Sequence, residues 1–276
     1  MKILSKEFRI SCSQIGKIMT ESKGKSRAEK IADIDQQIED AAAKWALLRD
    51  GLKSKETLAL KILRLQGERG ELFYSPDTIE LSETAKSYCK DWIKQQLYNR
   101  RKSFTSKYTD KGNFVESQAI EYLENALGWD FAVKNEKRLS YKFIEGECDV
   151  ILQDAIIDLK CCWDCFTFPL FDTVIPEKDY EYQIQGYMFL YGKPKGEVIF
   201  CLMDTPEEVI QKEVRWKLGE EYTREQYEAF YATFIYSGLP DDLRIKRFQF
   251  EYNLDMIRAI ESRVLECREY IASLGY

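Results

Sequence analysis

Residues 147–160 read Glu147-Cys148-Asp149-Val150-Ile151-Leu152-Gln153-Asp154-Ala155-Ile156-Ile157-Asp158-Leu159-Lys160. The aliphatic runs on either side of Gln153-Asp154 predict two short strands joined by a turn. Alternate residues of a strand share a face, so Asp158 and Lys160 project the same way from one edge of the sheet, and the turn brings Asp149 alongside them. Two carboxylates and an ammonium inside apolar β-sequence are costly unless they are paired or hold a metal, which marks a candidate site.

Outward from this stretch, residues 131–163 alternate in the manner of a strand meander. A helix is expected around 180–191, a strand at 197–203, helical segments to about 236, a strand near 244–251 and an amphipathic helix over 254–273. Upstream, Ser13 opens a helix, residues 27–49 and 54–66 form a helical hairpin broken near Gly51, and Ser82 opens a helix over 82–100. A further helix starts after Lys111-Gly112, covers 113–127 and ends at Gly128. No repeat or linker interrupts the order, so the expectation is one α/β domain over 1–276. It has a helical addition at 25–100, a core at 110–203 and a C-terminal helical part at 204–276.

The 276 residues contain no histidine. That excludes Ser-His-Asp and Cys-His hydrolases and His-ligated zinc enzymes, and leaves carboxylates, Lys, Tyr, Cys or an oxygen-bound Mg²⁺ or Mn²⁺ to carry any catalysis. A net charge of −6 argues against a general coating protein for nucleic acid but not against a local basic groove. Eight cysteines behind an N-terminus without a long apolar core point to a reducing cytoplasm, and no run is long enough to span a membrane.

Glu116, on the helix after Lys111-Gly112, can add a third acid; three carboxylates and a backbone carbonyl make a hard oxygen cage suited to Mg²⁺. Gln183 and Tyr187 stand four apart on one helical face. Between 94 and 112 six basic residues (Lys94, Arg100, Arg101, Lys102, Lys107, Lys111) face a single acid, Asp110, in a stretch able to follow a phosphate backbone or simply to be solvated. Trp163, Phe166, Phe168 and Phe171 either stack on unpaired bases or pack the loop. Cys148, Cys161, Cys162 and Cys165 are buried free thiols or a metal site. The alternative for Asp149, Asp158 and Lys160 is a structural ion-pair network, with Glu121, Glu124 and Glu147 as substitutes for Glu116.

The order Lys-Gly, helical Glu, strand Asp, Asp-x-Lys and helical Gln-x-x-x-Tyr resembles the PD-(D/E)XK nuclease superfamily. RISCSQIGKIM (residues 9–19), IIDLKC (156–161) and YQIQGYMFLYG (182–192) resemble its lambda-exonuclease-like (YqaJ-like) phage recombination enzymes. The resemblance implies a mixed central β-sheet flanked by helices, with an N-terminal helical addition. It implies Glu116, Asp149, Asp158 and the Leu159 carbonyl as ligands of Mg²⁺ or Mn²⁺, and Lys160, its pKa lowered when next to metal and phosphate, as the group that orients or deprotonates the attacking water. Gln183 and Tyr187 would support Lys160, and Arg9, Ser11 and Ser13 would meet a terminal phosphate. The implied activity is a metal-dependent exonuclease on duplex DNA ends in recombination or DNA processing, in a bacterial or phage-infected cytoplasm. An annealing protein and a homo-oligomer are the implied partners. The alternatives are a structure-specific or restriction-type endonuclease on the same fold, and a non-catalytic DNA-binding or assembly module.

Overall fold

The computed structural model describes residues 6–21, 25, 27–74, 81–102, 107–129 and 132–276, and of residues 107–110 the backbone only. In chain order the elements are β1 (Ile10–Ser11), α1 (Ile15–Met19), α2 (Arg27–Ala46), α3 (Lys53–Tyr74), α4 (Glu83–Tyr98) and α5 (Lys107–Leu127). Then come β2 (Leu139–Tyr141), β3 (Ile144–Gly146), β4 (Val150–Ile151), β5 (Ala155–Cys161), α6 (Lys178–Tyr191) and β6 (Lys195–Cys201). The chain closes with α7 (Glu207–Leu218), α8 (Arg224–Ala232), β7 (Ile245–Glu251) and α9 (Leu254–Ser273). It divides into two compact units, one spanning Thr20–Ser87 and the other joining the residues up to Met19 with Tyr88–Tyr276.

The smaller unit is built around the α2–α3 hairpin, with Gly51 at φ +80° in the turn between the helices. Ala41 and Leu65 are its buried helix residues, Arg69 pairs with Asp35 at 2.5 Å, and the Arg27 guanidinium donates to the carbonyls of Leu72 and Phe73. Ser82 caps α4 by accepting the Ala85 N–H at 3.1 Å, as its hydroxyl predicts.

The larger unit carries a four-stranded sheet in the order β4-β5-β6-β7 and a three-stranded sheet in the order β1-β3-β2. The expected meander is therefore shared between two sheets: β3 pairs parallel with β1, and β5 pairs antiparallel with β4 and parallel with β6. Asp158 and Lys160 accordingly stand on an interior strand rather than at an edge. The alternation of β5 divides its two faces. Ile157 and Leu159, with Ile199 and Cys201 of β6, pack against Val115, Ala119 and Leu123 of α5. The opposite face holds Asp158, Lys160, Val198 and Phe200, and α6 covers it.

The helix that carries Glu116 begins by Lys107, so Lys111-Gly112 lies inside it rather than before it; Gly128, at φ +64°, follows its end as expected. The N-terminal helix also starts later than expected. Cys12–Gln14 form a 3₁₀ turn, α1 begins at Ile15, and Ser13 is not its cap.

Gly186 lets α6 sit close to this N-terminal segment, because a Cβ there would lie 2.6 Å from Ile15 Cδ1 and 2.9 Å from Ile144 Cδ1. Both isoleucines are fully buried and have no room to withdraw. Gly186→Ala is expected to lower stability by about 1–2 kcal/mol, overpacking outweighing the gain in helix propensity. An unchanged urea midpoint would show slack at this contact.

Candidate active site

The β4–β5 register places the site. Val150 pairs with Ile157 and Ile151 with Ile156, so one further step sets Asp149 opposite Asp158, on the same face. The ladder stops there, and the Asp149 carboxylate takes the place of a strand partner by accepting the Leu159 N–H at 2.6 Å. Asp149 also gives its own carbonyl to Asn135 N–H at 2.7 Å, and the Asn135 side chain donates to the Cys148 carbonyl and the Tyr191 hydroxyl. Backbone and amide contacts thus fix the strand that presents the acid.

Asp158 is almost wholly buried. Its Oδ1 accepts from the Gln183 amide at 2.9 Å, while Oδ2 lies 2.7 Å from Lys160 Nζ yet has no hydrogen-bond donor in line. Gln183 in turn accepts from Lys160 at 3.3 Å and donates to the Tyr187 hydroxyl at 3.2 Å. The ammonium also lies over the Tyr180 ring, 4.9 Å from its centre. Tyr180, Gln183 and Tyr187, spaced three and four apart, share the face of α6 turned to β5. The sequence reading reached the last two and missed Tyr180, although the same spacing was its signal.

These groups line a cavity of about 800 Å³, to which Glu116, Asp149 and Leu159 also contribute. Glu116 arrives from α5 and is held by Lys134 at 2.7 Å. Lys134 makes an isolated antiparallel bridge with Val150, the first residue of β4. Among the described residues no three Cys, Asp or Glu side chains stand close enough together to hold a metal ion. The donor set is nevertheless hard oxygen throughout, and Asp158 Oδ2 is a buried anion in want of a partner besides Lys160. Glu116, Asp149, Asp158 and the Leu159 carbonyl are oxygen donors of the kind that Mg²⁺ or Mn²⁺ takes.

The electrostatics agree. Burial, then the neighbouring Asp158 and Glu116 charges, push the Asp149 carboxyl up to about 7. For Lys160, burial alone would lower the pKa, but the Asp158 and Asp149 carboxylates outweigh it and hold the ammonium above its ordinary value.

A raised carboxyl pKa favours the protonated folded form. Its contribution to stability is complete below the unfolded value near 4 and is lost as pH rises through about 7. Without divalent ions, Tm should fall by several degrees more in the wild type than in Asp149→Asn between pH 5 and 8. Equal pH profiles would remove the charge strain assigned to Asp149.

Arg9, Ser11 and Arg101 line a different cleft, which shares no residue with the acidic cavity and also receives Lys6, Lys17 and Arg138 together with Glu7, Asp91 and Glu145. Ser13 joins it through a 3.3 Å contact between its hydroxyl and that of Ser11. Arg100 is exposed beside Arg101 on the neighbouring basic surface. The side chain of Lys107 lies outside the described residues.

Two expected DNA contacts are corrected. Lys111 is fully buried, donates to the Trp163 carbonyl at 2.8 Å and is pushed by burial down to about 8, so it cannot reach a phosphate. Trp163 is buried edge-on against Phe234 in a cluster with Val209, Ile210 and Val214, and does not present a face for stacking. Of the cysteine group Cys148 and Cys162 are buried, Cys161 is half-buried and Cys165 is exposed, and burial pushes the first three up to about 12.

The fold has solved counterparts. A phage-related exonuclease from Haemophilus somnus 129PT superposes with a TM-score of 0.64 at 25% identity, over 98% of this chain and 96% of that one. The alkaline exonuclease LHK-Exo from Laribacter hongkongensis gives a TM-score of 0.51 at 13% identity, over 97% and 91% of the two chains. Its complex with dAMP gives 0.51 at 14%. No family model and no curated protein matches the sequence.

Proposed function

We propose, for a chain that has the fold of the lambda-exonuclease-like branch of the PD-(D/E)XK nuclease superfamily, that it is a DNA exonuclease working through the Asp149, Asp158 and Lys160 cavity. The observation that carries this reading is the juxtaposition of Asp149, Asp158 and Lys160 by the β4–β5 register, in a chain that is similar over nearly its whole length to a phage-related exonuclease. One phosphodiester is hydrolysed per cycle: the oxygen of water forms a bond to phosphorus, the bond to the 3′-oxygen breaks, and that oxygen takes a proton.

Glu116, Asp149, Asp158 and the Leu159 carbonyl would hold Mg²⁺ or Mn²⁺, which supplies Lewis acidity and charge neutralisation for phosphoryl transfer when bound. The chain's own contribution is orientation. Lys160, fixed by Asp158, Gln183 and the Tyr180 ring, offers an ammonium proton to a phosphate oxygen or to water. Gln183 keeps Asp158 and Lys160 in register, and Tyr187, its phenol held protonated by burial and by Asp158, closes the buried side. The Arg9, Ser11, Ser13 and Arg101 cleft suits a DNA phosphate, with Arg100 extending the basic surface. A role in phage recombination, an annealing partner and a cytoplasmic setting accompany this reading. No described helix is long and apolar enough to cross a membrane.

Covalently closed circular and linear duplex DNA, incubated side by side with Mg²⁺, test the reading. Loss of the linear form alone is expected. Cutting of closed circles would identify an endonuclease.

A further inference from the structure

The loop between β5 and α6 presents one aromatic ring to solvent at the mouth of the acidic cavity. Phe166 is 93% exposed and lines that cavity, whereas Trp163 and Phe168, three residues before it and two after, are buried. Its exposure does not come from slack in the chain. Asp164 Oδ1 accepts the N–H groups of Phe166 and Thr167 at 3.1 and 2.9 Å, and Thr167 Oγ1 accepts the N–H of Asp164 at 3.1 Å. The turn is tied down further by Lys111 on the Trp163 carbonyl and by the Tyr236 hydroxyl, which accepts the Cys165 N–H.

The chemistry of the loop narrows what this ring can meet. Residues 161–177 contain no Lys or Arg but include Asp164, Asp172 and Glu177, the last two on the cavity wall. Such a rim repels a phosphate backbone and accepts an uncharged aromatic face. Phe171 is equally exposed, at 91%, but does not line the cavity.

We infer that Phe166 is a stacking platform for an unpaired nucleobase of the strand whose phosphate lies at Asp149, Asp158 and Lys160. This rests on the nuclease reading and adds a base-binding subsite to it. The backbone is held at the acidic and basic groups, and the neighbouring base turns out onto the ring that the fixed loop presents.

The test uses short duplexes with 2-aminopurine at each of the last three positions of either strand, in Ca²⁺ in place of Mg²⁺. The wild type is expected to quench the fluorescence of one of these positions. Phe166→Ala should lose that quench and bind DNA about tenfold more weakly. Phe166→Tyr and Phe171→Ala should keep both. Because the ring is almost fully exposed, Phe166→Ala should melt like the wild type, which separates this loss from misfolding. Wild-type quench and affinity in Phe166→Ala, or the loss appearing in Phe171→Ala instead, would overturn the inference while wild-type digestion of linear DNA still upheld the nuclease. A wild type that neither binds nor digests DNA would remove the nuclease reading, and this subsite with it.

Discussion

Asp158→Asn is expected to lower the rate of DNA hydrolysis by about 10³-fold, corresponding to several kcal/mol of transition-state charge stabilisation at about 1.4 kcal/mol per tenfold. Asp158 is the buried acid on which the site converges: Gln183 donates to one oxygen, and the other faces Lys160 without an aligned donor. Asn keeps the volume and can still accept from Gln183, but it removes the charge that a divalent ion and Lys160 both require. The fold should survive, since an uncharged amide costs less to bury than an underpaired carboxylate. Digestion rates under single-turnover conditions, with circular dichroism as the folding control, measure this. A variant within tenfold of the wild type would exclude Asp158 from the chemistry.

Lys160→Arg separates position from charge. If Lys160 only neutralised Asp158, a second cation that pairs well with carboxylates would serve. The ammonium instead lies 2.7 Å from Asp158, donates to the Gln183 carbonyl oxygen and sits over the Tyr180 ring, a compact set of contacts that a bulkier planar guanidinium does not reproduce. A fall in kcat on the order of 10²- to 10³-fold is therefore expected, the usual cost of losing one preorganised donor, with DNA affinity in Ca²⁺ nearly unchanged. Strong residual cleavage would reduce Lys160 to a neutralising charge.

The strands around the site were legible in sequence because their signal is local. The turn at Gln153-Asp154 and the period of two set Asp149, Asp158 and Lys160 on one face, and the structure keeps them there. The spacing along α6 likewise placed Gln183 and Tyr187 beside them. What local pattern does not contain is which strands become neighbours. The partition of residues 131–163 between two sheets depends on the parallel partners β1 and β6, which lie far away in the chain.

The burial of Lys111 and Trp163 has the same origin. A charge-rich stretch and an aromatic loop read as surface, yet Lys111 finds the Trp163 carbonyl 52 residues away and the pair closes over the core. The balance at Lys160 was also beyond sequence, because it sets burial, the largest single effect, against the Asp158 and Asp149 carboxylates acting together.

The most direct measurement is release of an end label from linear duplex DNA by the purified protein, in Mg²⁺ and in EDTA, with 5′-phosphate and 5′-hydroxyl ends compared. The account predicts stepwise loss of label in Mg²⁺ and none in EDTA. Label retained in Mg²⁺ and Mn²⁺ alike, or released equally well in EDTA, would contradict it.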